Sequence, residues 1–124
     1  MPTAPCNPCV LLVEDHADTL RLMSRLLRRQ GYAVHEASSC EQALELAQRE
    51  RCKVLVSDVE LPGCTGLELM RELRARRMGI RGVAVSGHTG PNHVREARAA
   101  GFERHVAKPV KFDELLKLID EMLN

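Results

Sequence analysis

Short apolar runs recur along the chain and are separated by longer segments with a different apolar period. Continuous apolar runs occur at 10–13, 54–56 and 83–85, and residues 32–37 alternate between apolar and polar positions. A weaker run, "HVA", follows at 105–107. Runs of this length predict five β-strands, and the uniformly apolar ones are typical of central strands buried on both faces.

The segments after these runs have the apolar spacing of amphipathic helices. Ser38 with Glu41 and Thr65 with Glu68 form capping boxes that predict two helix starts. A helix of about ten residues is predicted to end near Gly101. The apolar positions of the other four helices are Leu20, Met23, Leu26 and Leu27; Ala43, Leu44 and Ala47; Leu67, Met70 and Leu73; and Leu115, Ile119, Met122 and Leu123.

Five strands that alternate with five helices predict a doubly wound α/β fold. The expected architecture is a five-stranded parallel sheet with helices on both faces, (βα)5 and flavodoxin-like. We expect an N-terminal extension at 1–9 and one domain at 10–124.

Composition and charge exclude several classes of protein. The 124 residues are 44% hydrophobic and 28% charged, and the formal net charge is +1. This charge argues against broad electrostatic attraction to nucleic acid or to an anionic membrane. No apolar run approaches the roughly 18–20 residues that span a bilayer, and residues 1–8 lack the features of a signal peptide. We therefore expect a cytoplasmic protein whose domain contacts neither nucleic acid nor membrane.

An odd number of cysteines without a secretory signal predicts reduced thiols rather than a disulfide framework. The spacing of "CNPC" at 6–9 is that of a redox or zinc pair, but no second CxxC is present to complete a zinc site. The pair is therefore interpreted as part of a solvent-facing N-terminal segment. The five cysteines are Cys6, Cys9, Cys40, Cys52 and Cys64.

Polar residues follow four of the predicted strands. Glu14 and Asp15 follow the first strand, Asp58 follows the third, Ser86 the fourth and Lys108 the fifth. Parallel strands bring their carboxyl ends to one edge of the sheet, where ligands bind in folds of this class. We therefore expect three carboxylates, a hydroxyl and an ammonium group to share one pocket.

The charges of this pocket predict a divalent cation. Three neighbouring carboxylates repel one another, and the single charge of Lys108 cannot balance them. Oxygen ligands favour Mg²⁺, with Mn²⁺ as an expected substitute. No glycine-rich phosphate loop follows the first strand, which argues against a nucleotide. A carboxylate beside a metal, a lysine and a hydroxyl suits phosphoryl transfer onto Asp58.

The ordered set of motifs resembles the receiver domain of two-component response regulators, from Val10 to Leu123. The matching segments are "LLVEDH", "SDVELPGCTGLEL", "VAVSGH" and "HVAKPV". The resemblance implies a domain that takes a phosphoryl group from a phosphohistidine and switches conformation. Its partner would be a histidine kinase or a histidine phosphotransfer domain, and phosphorylation would in some cases produce a homodimer.

The resemblance also implies a role for each site residue. Asp58 would be the phosphoacceptor, and Asp15 and Asp58 would bind Mg²⁺ together with the backbone carbonyl of Glu60. Glu14 would act partly through a water molecule. Lys108 would pair with a phosphoryl oxygen, and Ser86 would move to hydrogen-bond another. The peptide bond before Pro109 is expected to be cis.

Two positions differ from the family pattern. The switch position usually holds Tyr or Phe and here holds His105, for which inward rotation is expected when Ser86 moves. Glu60 places a carboxylate near the incoming phosphoryl group, and we expect it to alter phosphoryl lifetime or metal affinity. Gly87 and His88 are expected to line the same entrance.

Two other functions compete with this interpretation. One is a small aspartyl-phosphate phosphatase, but such enzymes usually carry a cap domain for which this chain has no room. The other is an unphosphorylated pseudo-receiver interaction module, against which the complete residue set argues. We expect a signalling domain that assists its own phosphorylation rather than an enzyme acting on outside substrates.

Further features bear on the partners. No helix-turn-helix is predicted within residues 1–124, and the chain is expected to be either a free-standing regulator or part of a hybrid kinase. The first helix presents Arg21, Arg25 and Arg28, which form either a solvated face or a docking stripe for an acidic partner.

Overall fold

The apolar runs form the strands of one parallel sheet in the computed structural model, which describes residues 9–88 and 90–123. The sheet has the strand order β2-β1-β3-β4-β5, and every neighbouring pair is parallel. The predicted fold class is therefore confirmed. The elements are β1 (Cys9–Val13), α1 (Ala17–Arg29), β2 (Ala33–Ala37), α2 (Cys40–Glu50), β3 (Val54–Asp58), α3 (Gly66–Ala75), β4 (Arg81–Ser86), α4 (Pro91–Ala100), β5 (Phe102–Ala107) and α5 (Phe112–Leu123).

The helices divide between the two faces of the sheet. Leu27 of α1 and Ile119 of α5 are fully buried against one face, where Val10 and Val54 point. Ala43 of α2 and Leu73 of α3 are buried against the opposite face, together with Ala97 of α4. The central strands are thus covered on both sides, which explains why their sequences are apolar throughout.

The strand register brings the polar strand ends together. Val13 aligns with Ser57, Asp58 aligns with Val85, and Ser86 aligns with Ala107. The residues immediately after β1 and β5 therefore lie at the same edge as the last residues of β3 and β4.

One of the two predicted capping boxes is confirmed and the other is shifted. Thr65 accepts a hydrogen bond from the Glu68 N–H at 3.1 Å and caps α3, as predicted. The cap of α2 is Ser39 instead of Ser38, and it accepts from the Gln42 N–H. The Gln42 side chain accepts from the Ser38 N–H at 2.8 Å, so Gln42 takes the role that the sequence assigned to Glu41.

The cysteines differ from expectation at two places. Cys40 at the start of α2 and Cys64 before α3 form a disulfide, so the prediction of uniformly reduced thiols is wrong for this pair. Cys9 is the first residue of β1 and is partly buried, so it does not belong to a solvent-facing segment. Cys6 and the rest of the predicted extension lie outside the described residues.

The structure also describes the Lys108–Pro109 peptide bond and the length of the helices. The Lys108–Pro109 peptide bond is cis, as predicted. In the described ranges, none of the helices combines the length and the apolar character that crossing a bilayer requires.

Candidate functional site

Asp58 lies at the centre of the polar edge, as the last residue of β3. Only 3% of its surface is exposed. One carboxylate oxygen, Oδ1, accepts a hydrogen bond from the Glu60 N–H at 3.0 Å. The other, Oδ2, accepts from the Lys108 ammonium group at 2.6 Å. Each oxygen of this buried carboxylate thus accepts a hydrogen bond, and the two bonds fix the orientation of the side chain.

Lys108 reaches Asp58 from beyond the end of β5, two strands away. Its backbone N–H donates to the Ser86 carbonyl at 2.9 Å, which fixes the start of the lysine loop against the end of β4. Burial opposes the charge of the ammonium group, but the hydrogen bond to Asp58 and the charges of Asp58, Glu14 and Glu60 give Lys108 a raised pKa overall. The ammonium group therefore remains charged at neutral pH. The predicted meeting of Lys108 and Asp58 is confirmed.

The acidic pair after β1 completes the edge. Glu14 is buried, whereas the side chain of Asp15 is about a third exposed. Burial raises the pKa of Glu14, and contact with the Asp58 carboxylate raises it further, against an opposing contribution from His16. Sequence reasoning missed His16, whose Nδ1 lies 3.0 Å from Glu14 Oε1 and 3.4 Å from Asp15 Oδ1. These two carboxylates raise the pKa of His16.

The donor set of this edge fits a hard divalent cation. Ligand oxygens of Glu14 and Asp15 lie within 4.8 Å of one another and of His16. Glu14 also contacts Asp58, and the pKa of Glu14 is raised first by burial and then by this neighbouring carboxylate, so a cation would relieve part of the repulsion. A group of carboxylate oxygens of this kind suits Mg²⁺ better than a softer metal.

Ser86 and His88 form the side of the pocket next to β4. Ser86 is 2% exposed, and its hydroxyl oxygen accepts a hydrogen bond from the His88 N–H at 3.0 Å. His88 Nε2 lies 3.1 Å from Glu60 Oε1, and the His88 ring stacks on that of His93 at 5.1 Å between centroids. Glu60 and His88 are both well exposed, so this pair lies at the entrance of the pocket.

His105 lies behind this side of the pocket, in β5. It aligns with Ala84, and Ser86 is two residues further along β4, so His105 and Ser86 occupy the same face of the sheet. Partial burial lowers the pKa of His105, and the nearby His93 lowers it further. His105 is therefore predominantly neutral at neutral pH.

Comparison with known proteins agrees with this geometry. The family model for the response regulator receiver domain matches residues 10–120. The chain belongs to the response regulator receiver domain family. Its function therefore lies in two-component signalling and is related to phosphotransfer.

Individual relatives include both single-domain and multidomain proteins. Sporulation initiation phosphotransferase F of Bacillus subtilis is 25% identical over 117 residues, which cover 94% of this chain and 94% of the relative. Sensor kinase CckA of Brucella abortus is 37% identical, and the match covers 92% of this chain but only 12% of the kinase. The structure of the chemotaxis response regulator CheY4 of Vibrio cholerae has a TM-score of 0.88 and 29% identity, and covers 94% of this chain and 98% of that one.

Gly66 is a second residue of the receiver site that sequence reasoning missed. It is the first residue of α3, and its N–H donates to the Val59 carbonyl at 2.7 Å. A Cβ atom at this position would collide with the Asp58 carbonyl oxygen and would lie 3.0 Å from Val59 Cα. The absence of a side chain thus allows α3 to pack directly on the backbone that carries Asp58.

We expect Gly66→Ala to destabilise the receiver by about 1–3 kcal/mol, the usual cost of forcing extra atoms into a packed site. The colliding atoms belong to the backbone, which cannot move without displacing Asp58. Denaturant unfolding measures the change. Gly87→Ala is the matched control, because a Cβ there meets nothing within 4 Å. Equal stability of the two variants would contradict this account.

We expect Glu14→Gln to stabilise the metal-free receiver at neutral pH. The pKa of Glu14 is raised in the folded state, so the ionised carboxylate costs stability above its ordinary value of 4.5. That cost is relieved as the pH falls through the folded-state pKa, because the folded protein then binds the proton more tightly than the unfolded chain.

Denaturant unfolding of both proteins across this pH range tests the prediction. The stability difference should be largest near pH 7 and should narrow towards pH 4.5. Glu45→Gln, on the exposed side of α2, controls for the loss of one negative charge. A wild-type protein that is more stable than Glu14→Gln at neutral pH without metal would contradict the prediction.

Proposed function

We propose that this receiver accepts a phosphoryl group from a phosphohistidine onto Asp58 and changes conformation in response. The observation that carries the proposal is the 2.6 Å contact between the Lys108 ammonium group and Asp58 Oδ2, in a pocket that also contains Glu14. A carboxylate paired with a lysine is ready to receive an anionic group, because the lysine can pair with the added oxygens.

The transfer needs no general base. An ionised Asp58 oxygen attacks phosphorus, the phosphorus–nitrogen bond of the phosphohistidine breaks, and the bonding electrons leave with the imidazole. Lys108 stabilises the negative charge of the phosphoryl oxygens, and the Glu60 N–H, 3.0 Å from Oδ1, keeps the carboxylate oriented. The chain thus contributes mainly positioning and electrostatic stabilisation.

A magnesium ion fits this scheme. Asp15, Asp58 and the backbone carbonyl of Glu60 would hold it, with Glu14 acting partly through a water molecule. When bound, Mg²⁺ supplies positive charge that offsets the repulsion between the carboxylates and the phosphoryl oxygens. The crowded carboxylates around Glu14 support this assignment.

Incubation with Mg²⁺ and acetyl phosphate tests the proposed function. We expect intact-mass spectrometry to show the addition of one phosphoryl group to the wild-type protein and none to Asp58→Asn. Chelation of Mg²⁺ should abolish the product, whereas Mn²⁺ should restore it. Glu45→Gln, remote from the pocket, should be phosphorylated normally. A phosphorylated Asp58→Asn protein, or a wild-type protein that stays unmodified, would refute the assignment.

The conformational response would begin at Ser86. The Ser86 hydroxyl accepts from the His88 N–H, which leaves its own proton free to donate to a phosphoryl oxygen. Charge-assisted hydrogen bonds contribute roughly 1.5–3 kcal/mol each. Lys108 already donates to Asp58 Oδ2 and would exchange that bond for one to a phosphoryl oxygen, so Ser86 would supply the one added bond. One added bond of this strength would shift a two-state equilibrium by about 10- to 150-fold without a large motion.

We expect His105 to rotate inward when Ser86 moves, with a smaller apolar gain than Tyr or Phe would give. Because burial lowers its pKa, acidification that protonates His105 should oppose the inward state. Crystal structures of the phosphorylated and unphosphorylated protein test this. Identical packing of Ser86 and His105 in the two states would rule out the rotation.

We expect Glu60→Asn to change the dephosphorylation rate or the Mg²⁺ affinity by about two- to fivefold. The Glu60 carboxylate is well exposed and lies 3.1 Å from His88, so solvent screens its effect on the phosphoryl group, and charge interactions at exposed sites contribute about 0.2–1 kcal/mol. Decay of the phosphorylated protein and magnesium titration measure the two quantities. If Glu60→Asn matches the wild type in both, Glu60 has no such role.

The phosphodonor is proposed to be a histidine kinase or a histidine phosphotransfer domain, since the relatives include a sporulation phosphotransferase and sensor kinases. Helix α1, next to the pocket, is the proposed contact. Two of its arginines already have partners within the domain. Arg28 donates to the Val34 carbonyl at 2.9 Å, and the Arg21 guanidinium lies 3.4 Å from the Asp18 carboxylate. Dimerisation after phosphorylation would use α4, β5 and α5.

A further inference from the structure

A second group of potential metal ligands lies at the opposite end of the sheet from Asp58. Cys9 is the first residue of β1, and Cys52 lies between α2 and β3. The Lys53 N–H donates to the Cys9 carbonyl at 2.9 Å, which holds the segment around Cys52 beside the start of β1. These are the amino ends of parallel strands, whereas Asp58 occupies a carboxyl end.

His35 of the edge strand β2 completes this group. It aligns with Leu11 of β1, so its side chain lies on the same face of the sheet as those of Cys9 and Leu11. The Cys9 and Cys52 sulfurs and a His35 ring nitrogen all lie within 4.8 Å of one another. Residues separated by up to 43 positions in the sequence thus present two sulfurs and one nitrogen to a single point.

Zinc suits this set of donors. Zn²⁺ takes thiolate sulfur at about 2.3 Å and imidazole nitrogen at about 2.0–2.1 Å in a tetrahedral arrangement. Ligand atoms within 4.8 Å of one another need only small side-chain movements to reach such distances. Burial raises the pKa of the Cys9 and Cys52 thiols, which makes them poor redox nucleophiles in the metal-free protein.

The surroundings supply an outer shell and a route of entry. The Glu50 carboxylate, at the end of α2, has Oε1 3.6 Å from His35 Nε2, so a small side-chain movement would bring it to hydrogen-bond distance, and its Oε2 accepts from Arg49 at 3.0 Å. A carboxylate next to a ligating histidine orients the ring and increases its basicity as a ligand. Cys52 is buried, whereas the side chains of His35 and Glu50 are each about one-third exposed, so a metal ion can enter from their side.

We propose that Cys9, His35 and Cys52 form a zinc-binding site at the amino end of the sheet, with Glu50 as the residue that positions His35. The ion would connect β1, β2 and the turn between α2 and β3, and its fourth position would be open to a water molecule. It would stabilise the fold, and its ligands are separate from the residues of the Asp58 pocket.

Titration of the reduced and metal-free 124-residue protein with Zn²⁺ and with Co²⁺ tests the proposal. Co²⁺ should give a near-ultraviolet thiolate-to-metal charge-transfer band and the visible bands of a tetrahedral centre. One Zn²⁺ should bind, displace Co²⁺ and raise the melting temperature. Cys9→Ser, His35→Gln and Cys52→Ser should each weaken binding by at least about 100-fold, more than the loss of an outer-shell group.

Matched variants exclude the other thiols and test the role of Glu50. Cys40→Ser/Cys64→Ser removes two cysteines elsewhere and should retain binding. Cys6→Ser should also retain binding, since the assigned ligands remain. Glu50→Gln should weaken Zn²⁺ binding about tenfold and leave the cobalt charge-transfer band in place, whereas Glu45→Gln on the same helix should change neither.

Three results would overturn the proposal. The first is a wild-type protein whose affinity for Zn²⁺ is no higher than that of Cys52→Ser. The second is binding that is lost with Cys6→Ser and kept with His35→Gln, which would place the metal on the "CNPC" pair. The third is a cobalt spectrum without a thiolate band. Circular dichroism of each metal-free variant shows whether a loss of binding reflects unfolding.

Discussion

The contact between Lys108 and Asp58 is the constraint on which the site depends. Lys108 follows β5 and Asp58 ends β3, and β4 lies between these two strands in the sheet. The 2.6 Å ion pair therefore spans the end of β4, where Ser86 lies. Any group added to Asp58 must displace the ammonium group or share it. The Lys108 backbone N–H also donates to the Ser86 carbonyl, so the segment that carries Lys108 is hydrogen-bonded to the end of β4.

This arrangement explains how a small chemical change could have a wider effect. The single positive charge of Lys108 faces Asp58, Glu14 and Glu60, so the metal-free pocket has an excess of negative charge. A phosphoryl group increases that excess and supplies oxygens that Lys108 and Ser86 can both reach in the proposed mechanism. His88 lies on the same side of the pocket, and its N–H donates a hydrogen bond to the Ser86 hydroxyl oxygen. Movement of Ser86 therefore has to disturb the loop after β4, which connects to α4.

Much of the fold and of the site could be predicted from the sequence, because both depend on local patterns. Apolar runs fixed the strands, and parallel topology then required Asp15, Asp58 and Lys108 to lie at one edge. The cap of α2 was placed one residue early because Ser38 and Ser39 are both good caps, and only the backbone geometry distinguishes them. The roles assigned to the site residues remain predictions, since they concern chemistry that geometry alone does not test.

The features that sequence reasoning missed depend on contacts between distant segments. The collision that a Cβ at Gly66 would cause involves the backbone of Asp58, and no local pattern indicates it. The Cys40–Cys64 disulfide joins the start of α2 to the loop before α3. No sequence motif indicates Cys52 and His35 either, because a metal site assembled from two strands and one turn has no fixed spacing in the sequence.

The two candidate metal sites differ in a way that should keep their metals apart. The edge around Asp58 offers carboxylate oxygens, which suit hard Mg²⁺, whereas the amino end offers two sulfurs and an imidazole, which suit Zn²⁺. The zinc ligands lie at the amino ends of the strands and the carboxylates at the carboxyl ends. Neither ion would therefore alter the coordination of the other. β3 nevertheless connects them directly, since it begins two residues after Cys52 and ends at Asp58. An ion that holds the start of β3 would therefore limit how far that strand can shift when Asp58 is modified, and it would direct the response towards β4 and β5.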